Sequence, residues 1–299
     1  MKRAKVALLV LLAFLSLSFF LVVLYQKMEQ KHKIFISTNP WVGYTPMAYI
    51  HEKDWLRGSG IEFIWLSDLS DNVRLYERDF TQGFLSTQYE LLNFTHKDDI
   101  VPIFLVDRSD GADVITSNYT LDELRDYGYA IDVYLEQGSI NRNLFEAFVK
   151  EYHLETLEFK LIESDQREIA MLKNTKTPQI AISYHPYAST LYKNGFKNIV
   201  STKDLKTFFA IDALFINEEV YLENKQSIEK LKELFALALT QLKNDPKEFY
   251  NTVEPYLEGE SYEEFLNSLK LIKWLHDKPA KDEIEYLKHQ NINTIRLIR

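Results

Sequence analysis

The chain has 299 residues, 46% hydrophobic and 26% charged, enough to build two lobes with cores of their own. It contains no cysteine, which excludes disulfides, thiolate catalysis, cysteine-ligated zinc or iron–sulfur sites and an acylated-cysteine anchor. Residues 1–33 hold six basic side chains and one acidic, so of the net charge of -9 the rest of the chain carries -14. A body that acidic is unsuited to nucleic acid or to anionic membrane surfaces.

The first predicted element is a membrane anchor. Lys2, Arg3 and Lys5 precede an apolar run from Val6 to Tyr25, interrupted only by Ser16 and Ser18. At about 1.5 Å per residue such a run reaches roughly 30 Å, the thickness of a bilayer core. A cleaved signal peptide carries a shorter apolar core and a small-x-small cleavage site. The run here ends Leu24-Tyr25-Gln26 without one. The expectation is an uncleaved transmembrane helix within residues 1–33, with the body in the periplasm or outside the cell. A long cleaved signal is the alternative.

Beyond the anchor, short β-rich runs alternate with helical patterns. Strands are predicted at 33–37, 61–65, 84–86, 101–107, 114–117, 129–134, 159–162, 179–183 and 208–215. Helices are predicted at 47–56, 72–79, 121–127, 140–152, 166–174 and 187–194. This spacing implies βαβ units and a largely parallel sheet, an α/β fold. From Asn217 onward the chain reads as helical, with one well-marked start at Asp245-Pro246-Lys247-Glu248: a capping acid, a first-turn proline and a capping-box glutamate. Open α/β sheets bind ligands beyond the carboxyl ends of their strands, which directs attention to five segments.

The first segment, Thr38-Asn39-Pro40-Trp41-Val42-Gly43-Tyr44-Thr45-Pro46, bares backbone N–H groups between a strand and a helix; Trp41 and Tyr44 are packing aromatics or the wall of a site. The second, Thr87-Gln88-Tyr89-Glu90, follows a short strand. The third, Asp107-Arg108-Ser109-Asp110-Gly111-Ala112-Asp113, follows the strongest β run and contains a turn at Ser109-Asp110-Gly111. In the fourth, Gly138-Ser139 opens a helix, so that Ser139 is either a cap or a contact to an anion held by the helix N-terminus. The fifth is Ser183-Tyr184-His185-Pro186-Tyr187, where His185 has no evident serine or aspartate partner in sequence. Nucleotide-binding, nucleophile-elbow and zinc-protease motifs are absent, and the seven histidines show no ligand spacing. No catalytic group, metal or cofactor is expected.

Taken in order, these segments resemble the solute-binding proteins of ABC importers in the nitrate/sulfonate/taurine and thiamine-precursor group. The group's W-x-G-Y-x-P-like element is matched by Trp41 to Pro46, its G-x-x-x-x-T segment by Gly83 to Thr87, and its D-x-S-x-G-A-D segment by Asp107 to Asp113. Its second-lobe G-S helix start is similar to Gly138-Ser139. Its aromatic-acid-proline segment is matched in part, with His185 in the place of the acid. The resemblance runs from about Ile34 to Leu287 and implies a two-lobed type II periplasmic-binding-protein fold with two hinge crossings. It divides the body into lobe 1 at 34–118 plus 212–299 and lobe 2 at 119–211.

It further implies that amide groups behind Tyr44 and Ser139 face each other across a cleft and hold a small anionic or zwitterionic solute. Trp41, Gly43, Tyr44, Thr87, Ser109, Asp110, Gly138, Ser139, Tyr184 and His185 are the expected ligand-binding residues. Asp110 or Asp107 would meet an amino group of the solute, with a structural hinge contact as the other role for Asp107. The implied partners are the solute and an ABC permease or, alternatively, a membrane sensor. A third possibility is an enzyme like the fungal-type thiamine pyrimidine synthase, whose iron site lies near a cysteine-rich segment that this chain lacks.

Overall fold

The computed structural model describes residues 14–21, 33–67, 69–94, 97, 99–276 and 281–297. The expected anchor falls largely outside them. Its described part, residues 14–21, is helical and leaves Phe14, Leu17 and Phe19 more than half exposed. Among the described residues no helix is long and apolar enough to cross a membrane.

Eleven strands, numbered in chain order, form two sheets among the described residues. The first six are β1 (Ile34–Thr38), β2 (Ile61–Trp65), β3 (Gly83–Thr87), β4 (Ile100–Ser109), β5 (Asp113–Ser117) and β6 (Ile131–Leu135). The rest are β7 (Phe159–Glu163), β8 (Gln179–Tyr184), β9 (Lys197–Ser201), β10 (Ile211–Asn217) and β11 (Ile272–Trp274). The first sheet runs β11-β4-β10-β3-β1-β2 and the second β7-β6-β8-β5-β9. In each, one antiparallel strand lies inside the sheet, β10 between β3 and β4 and β5 between β8 and β9, and the first sheet ends on a second antiparallel strand, β11. Strands β10 and β5 are the ones fed by chain arriving from the other sheet.

Burial follows from these positions. In β4 every residue is buried except half-buried Arg108, as a strand with neighbours on both edges and helices on its faces requires. The edge strands β2 and β7 instead expose charged residues, Glu62 in the one and Lys160 and Glu163 in the other. The C-terminal helices pack on the first sheet. The helix Lys225–Asn244 buries Ile228, Leu231, Phe235 and Ala238 along one face, placing the Phe235 ring 5.8 Å from that of Phe104 in β4. The helix at Pro246 starts as expected, since Asp245 accepts from the Glu248 N–H at 3.0 Å. The Glu248 carboxylate does not close a capping box; it turns to Tyr49 and Lys53.

The lobes join through two crossings, Asp110–Ala112 between β4 and β5 and residues 202–210 between β9 and β10. Strand β5, assigned by sequence to lobe 1, pairs in the second sheet, so the first boundary lies near residue 110 rather than 118. The crossings are stitched together: the Ser109 and Thr202 hydroxyls lie 2.7 Å apart, Thr202 Oγ1 accepts from the Gly111 N–H at 2.9 Å, and Ser109 Oγ accepts from the Asp113 N–H at 3.1 Å. Gly111 holds φ +120°, a backbone conformation that other residues rarely adopt. The D-x-S-x-G-A-D segment is thus hinge geometry with an aspartate at each end.

A candidate solute cleft between the lobes

Strand register builds the site. On the first sheet Asp212 of β10 lies opposite Thr87 of β3 on one side and Asp107 of β4 on the other, a single row across three strands. On the second sheet Asp113 of β5 lies opposite Tyr184 of β8. Residues opposite one another share a face of their sheet. The two rows meet between the lobes, with the Trp41–Tyr44 turn folded over them.

The aromatics bind this arrangement together. Trp41 donates its indole N–H to Asp107 Oδ2 at 3.3 Å and sets its ring edge-on to Tyr184, with centroids 5.8 Å apart. Tyr44 donates its hydroxyl to Asp212 Oδ1. Asn39 Nδ2 donates to the Tyr184 hydroxyl at 3.3 Å. Gly43 is required by close approach, because a Cβ there would fall 1.8 Å from Asp107 Oδ2. The small cavity enclosed has Asn39, Trp41, Tyr44, Thr87 and Asp212 on the lobe 1 side and Asp113, Ile140 and Tyr184 on the lobe 2 side. Its free volume is about 10 Å³, the scale of one water and far below an organic solute. A guest therefore requires the lobes to part, or the three rings to turn aside.

The expected bare amides are engaged by the protein itself. The N–H of Ile140, at the helix start behind Ser139, donates to Glu90 Oε1 at 2.5 Å, and that of Asn141 to Ser139 Oγ at 3.2 Å. On the other side, the Val42 N–H donates to the His185 carbonyl at 3.3 Å and that of Tyr44 to the Trp41 carbonyl at 2.9 Å. Glu90 is fully buried; its other oxygen accepts from the Ser86 hydroxyl and from the Thr87 N–H and hydroxyl. A carboxylate already sits where an anionic head group was expected. The reason is electrostatic: a helix N-terminus attracts negative charge, and the capping-box glutamate of the facing helix reaches it.

Of the expected ligand residues, Trp41, Tyr44, Thr87 and Tyr184 line the cavity. Gly43 supports it from behind. Ser139 caps its helix, and Gly138 accepts from Asn93 Nδ2 at 3.0 Å across the lobes. Ser109 is the hinge stitch. Asp110 is half-buried in the crossing, with its N–H bonded to the Leu271 carbonyl at 2.7 Å.

His185 faces away from the cleft, toward the C-terminal helices. Its Nδ1 lies 2.9 Å from Glu260 Oε1, and the Ser189 hydroxyl donates to the same oxygen at 2.5 Å. It borders a separate groove of about 730 Å³ that also includes Gly111, Lys203 and Leu271. Asn39, Glu90 and Asp113 lie within the candidate segments but were not among the expected ligand residues, and Asp212 lies outside all five segments. The available signal was an isolated acid inside an apolar strand, as in Ala210-Ile211-Asp212-Ala213-Leu214.

The four carboxylates share one electrostatic problem. Asp107, Asp113, Asp212 and Glu90 are each buried, and among the described residues no lysine, arginine or histidine lines the cavity. Burial pushes all four above the ordinary carboxylate range, and mutual repulsion adds to it for Asp107, Asp113 and Asp212. Asp113 is pushed up to about 7. A carboxyl raised in this way binds its proton more tightly folded than unfolded. It therefore stabilises the fold below the unfolded value of about 4, and that contribution disappears as pH rises toward 7.

No family model matches the sequence, and no curated protein matches it. Solved structures do share its architecture, which is the periplasmic-binding-protein fold. The ligand-binding component of an ABC-type import system from Staphylococcus aureus, with zinc bound, superposes at TM-score 0.69 with 14% identity over 90% of this chain and 96% of that one. The periplasmic aliphatic sulphonate binding protein of Escherichia coli gives 0.65, 14%, 87% and 90%. A desulfurization enzyme, DSZB, gives 0.58, 13%, 87% and 92%, so the fold accommodates chemistry as well as binding. Among the described residues of this chain, no group of three or more histidine, aspartate or glutamate side chains is placed to hold a metal ion.

Proposed function

We propose that this protein is an extracytoplasmic solute-binding protein whose two lobes close on a small polar solute, held at the membrane by its N-terminal segment and serving an ABC importer. The observation that carries the reading is the cavity itself. It lies at the carboxyl ends of strands of both sheets, is lined from both lobes, and sits beside a two-stranded hinge. Ligand contacts made from both sides exist only when the lobes are shut, which is how such a protein couples capture to closure. The apolar run at 6–25 supports the tether, and the exposed Phe14, Leu17 and Phe19 are compatible with a lipid environment. Delivery to a permease and signalling to a membrane sensor place the same demand on the cleft.

The test is a thermal-shift panel of small solutes on the purified full chain: nitrate, ethanesulfonate, taurine, pyrimidine thiamine precursors and small amines. A ligand at about one hundred times its Kd adds roughly 2.7 kcal/mol of stability. A melting temperature that stays flat across the whole panel would remove the solute-binding reading.

A further inference from the structure

Two buried side-chain acceptors at the cleft have no hydrogen-bond donor. Asn39 is 1% exposed and lines the cavity, and its Oδ1 accepts no hydrogen bond; Asp107 Oδ1, fully buried behind Trp41, likewise has no donor. Asp113 and Asp212 line the same cavity as Asn39. Three of the four carboxylates, Glu90, Asp107 and Asp212, come from lobe 1, and Asp113 comes from lobe 2. The helix N-terminus that would otherwise supply donors is occupied by Glu90. Acceptors without donors, negative charge without a counter-charge and rings around both define what is missing.

We propose that the solute of this cleft carries a cationic N–H group, an ammonium or guanidinium, held by Asp107, Asp113, Asp212 and the Asn39 carbonyl between the rings of Trp41, Tyr44 and Tyr184. This deepens the solute-binding reading and rests on it. It also supplies a mechanism for closure. Shutting the lobes brings Asp113 against Asp212 and Glu90 out of water, which costs free energy unless protons or a cation neutralise them. At neutral pH a cationic guest does this and contributes donors to the orphaned oxygens. The groups facing Asp113 are Glu90, Asp107 and Asp212, and Tyr44 stands among them; all are acidic. Cation binding therefore expels protons from carboxyls that are still protonated, and affinity rises with pH through the region near 7 where Asp113 ionises.

The experiment is titration calorimetry on the full chain in detergent micelles, with ethylammonium, putrescine and guanidinium as cations and ethanesulfonate, nitrate and taurine as comparators. At least one cation is expected to bind more tightly than ethanesulfonate and nitrate, with affinity about tenfold higher at pH 7.5 than at pH 5.5. Asp212→Asn, which keeps an oxygen for the Tyr44 hydroxyl, is expected to weaken that cation at least about tenfold while the protein stays folded by circular dichroism. Cation binding unchanged in both Asp212→Asn and Asp113→Asn would place the cation elsewhere and overturn the inference. If ethanesulfonate or nitrate binds and no cation does, the inference fails and the solute-binding reading survives. If nothing binds, both fail.

Discussion

Glu90→Ala is expected to cost at least about 3 kcal/mol, read as the loss of unfolding free energy in urea. The carboxylate accepts four hydrogen bonds in a fully buried position: three from Ser86 and Thr87 in its own lobe, and one from the Ile140 N–H in the other. Removing it strands those donors, and each buried unsatisfied donor costs about 1–3 kcal/mol. It also removes a fastening between the lobes. Glu90→Gln separates charge from geometry. One oxygen of Glu90 serves the Thr87 N–H and the other serves the Ile140 N–H, so a carboxamide can satisfy only one of the two and sets its NH₂ against the other. Gln is therefore expected to fall between wild type and Ala. A cost for Glu90→Ala below about 1 kcal/mol would show that Glu90 holds no such position.

Gly43→Ala is expected to be nearly as damaging, although it adds a single methyl group. That methyl would lie 1.8 Å from Asp107 Oδ2 and 2.5 Å from Trp41 Nε1, the two atoms that hydrogen-bond to each other. Neither neighbour is the loose end of a surface chain, because both are buried, so the turn or the strand end must move. Overpacking of this kind costs about 1–3 kcal/mol, and the broken Trp41–Asp107 bond adds roughly 1.5–3 kcal/mol. For a body of this size each kcal/mol lowers the melting temperature by about 2–4 °C. A variant melting within about 2 °C of wild type would contradict the packing described here.

Much of the fold was legible in the sequence because two periodicities were strong. Nine strands were expected where nine occur, since β-branched and aromatic runs bounded by turn residues leave little choice. The two that escaped, β9 and β11, lack that signal. Strand β9 opens on two exposed polar residues, Lys197 and Asn198, and has only Ile199-Val200 as an apolar pair, and β11 has three residues whose strand state depends on pairing with Asp107–Ser109. The helix at Gln88 is only five residues long and exists through its Thr87–Glu90 cap rather than through an apolar stripe.

The meeting of the candidate segments was legible in the sequence, and the contacts they make there were not. The Trp41–Tyr44 turn, Thr87, Asp107–Asp113 and Tyr184 do come together, because strand ends of an α/β sheet must. Sequence could not show that Glu90 would cross to the other lobe and occupy the helix N-terminus. Nor could it show that register would line up Asp212 with Asp107, since both depend on pairings between residues more than forty positions apart in the chain. His185 was misplaced for a similar reason: its partner Glu260 lies 75 positions further along the chain, and His185 itself borders a groove on the hinge side.

The most direct test of the account is the distance between the lobes as a function of pH and cation. The chain has no cysteine, so Glu155→Cys in lobe 2 and Asn251→Cys on the helical part of lobe 1 give a unique pair of spin labels at exposed positions. Without added solute the distance is expected to lengthen as pH rises from about 5 to 8 and Asp113 loses its proton, and a bound cation at about pH 8 is expected to restore the short distance. A distance indifferent to pH and to every cation, or one shortened by ethanesulfonate alone, would contradict it.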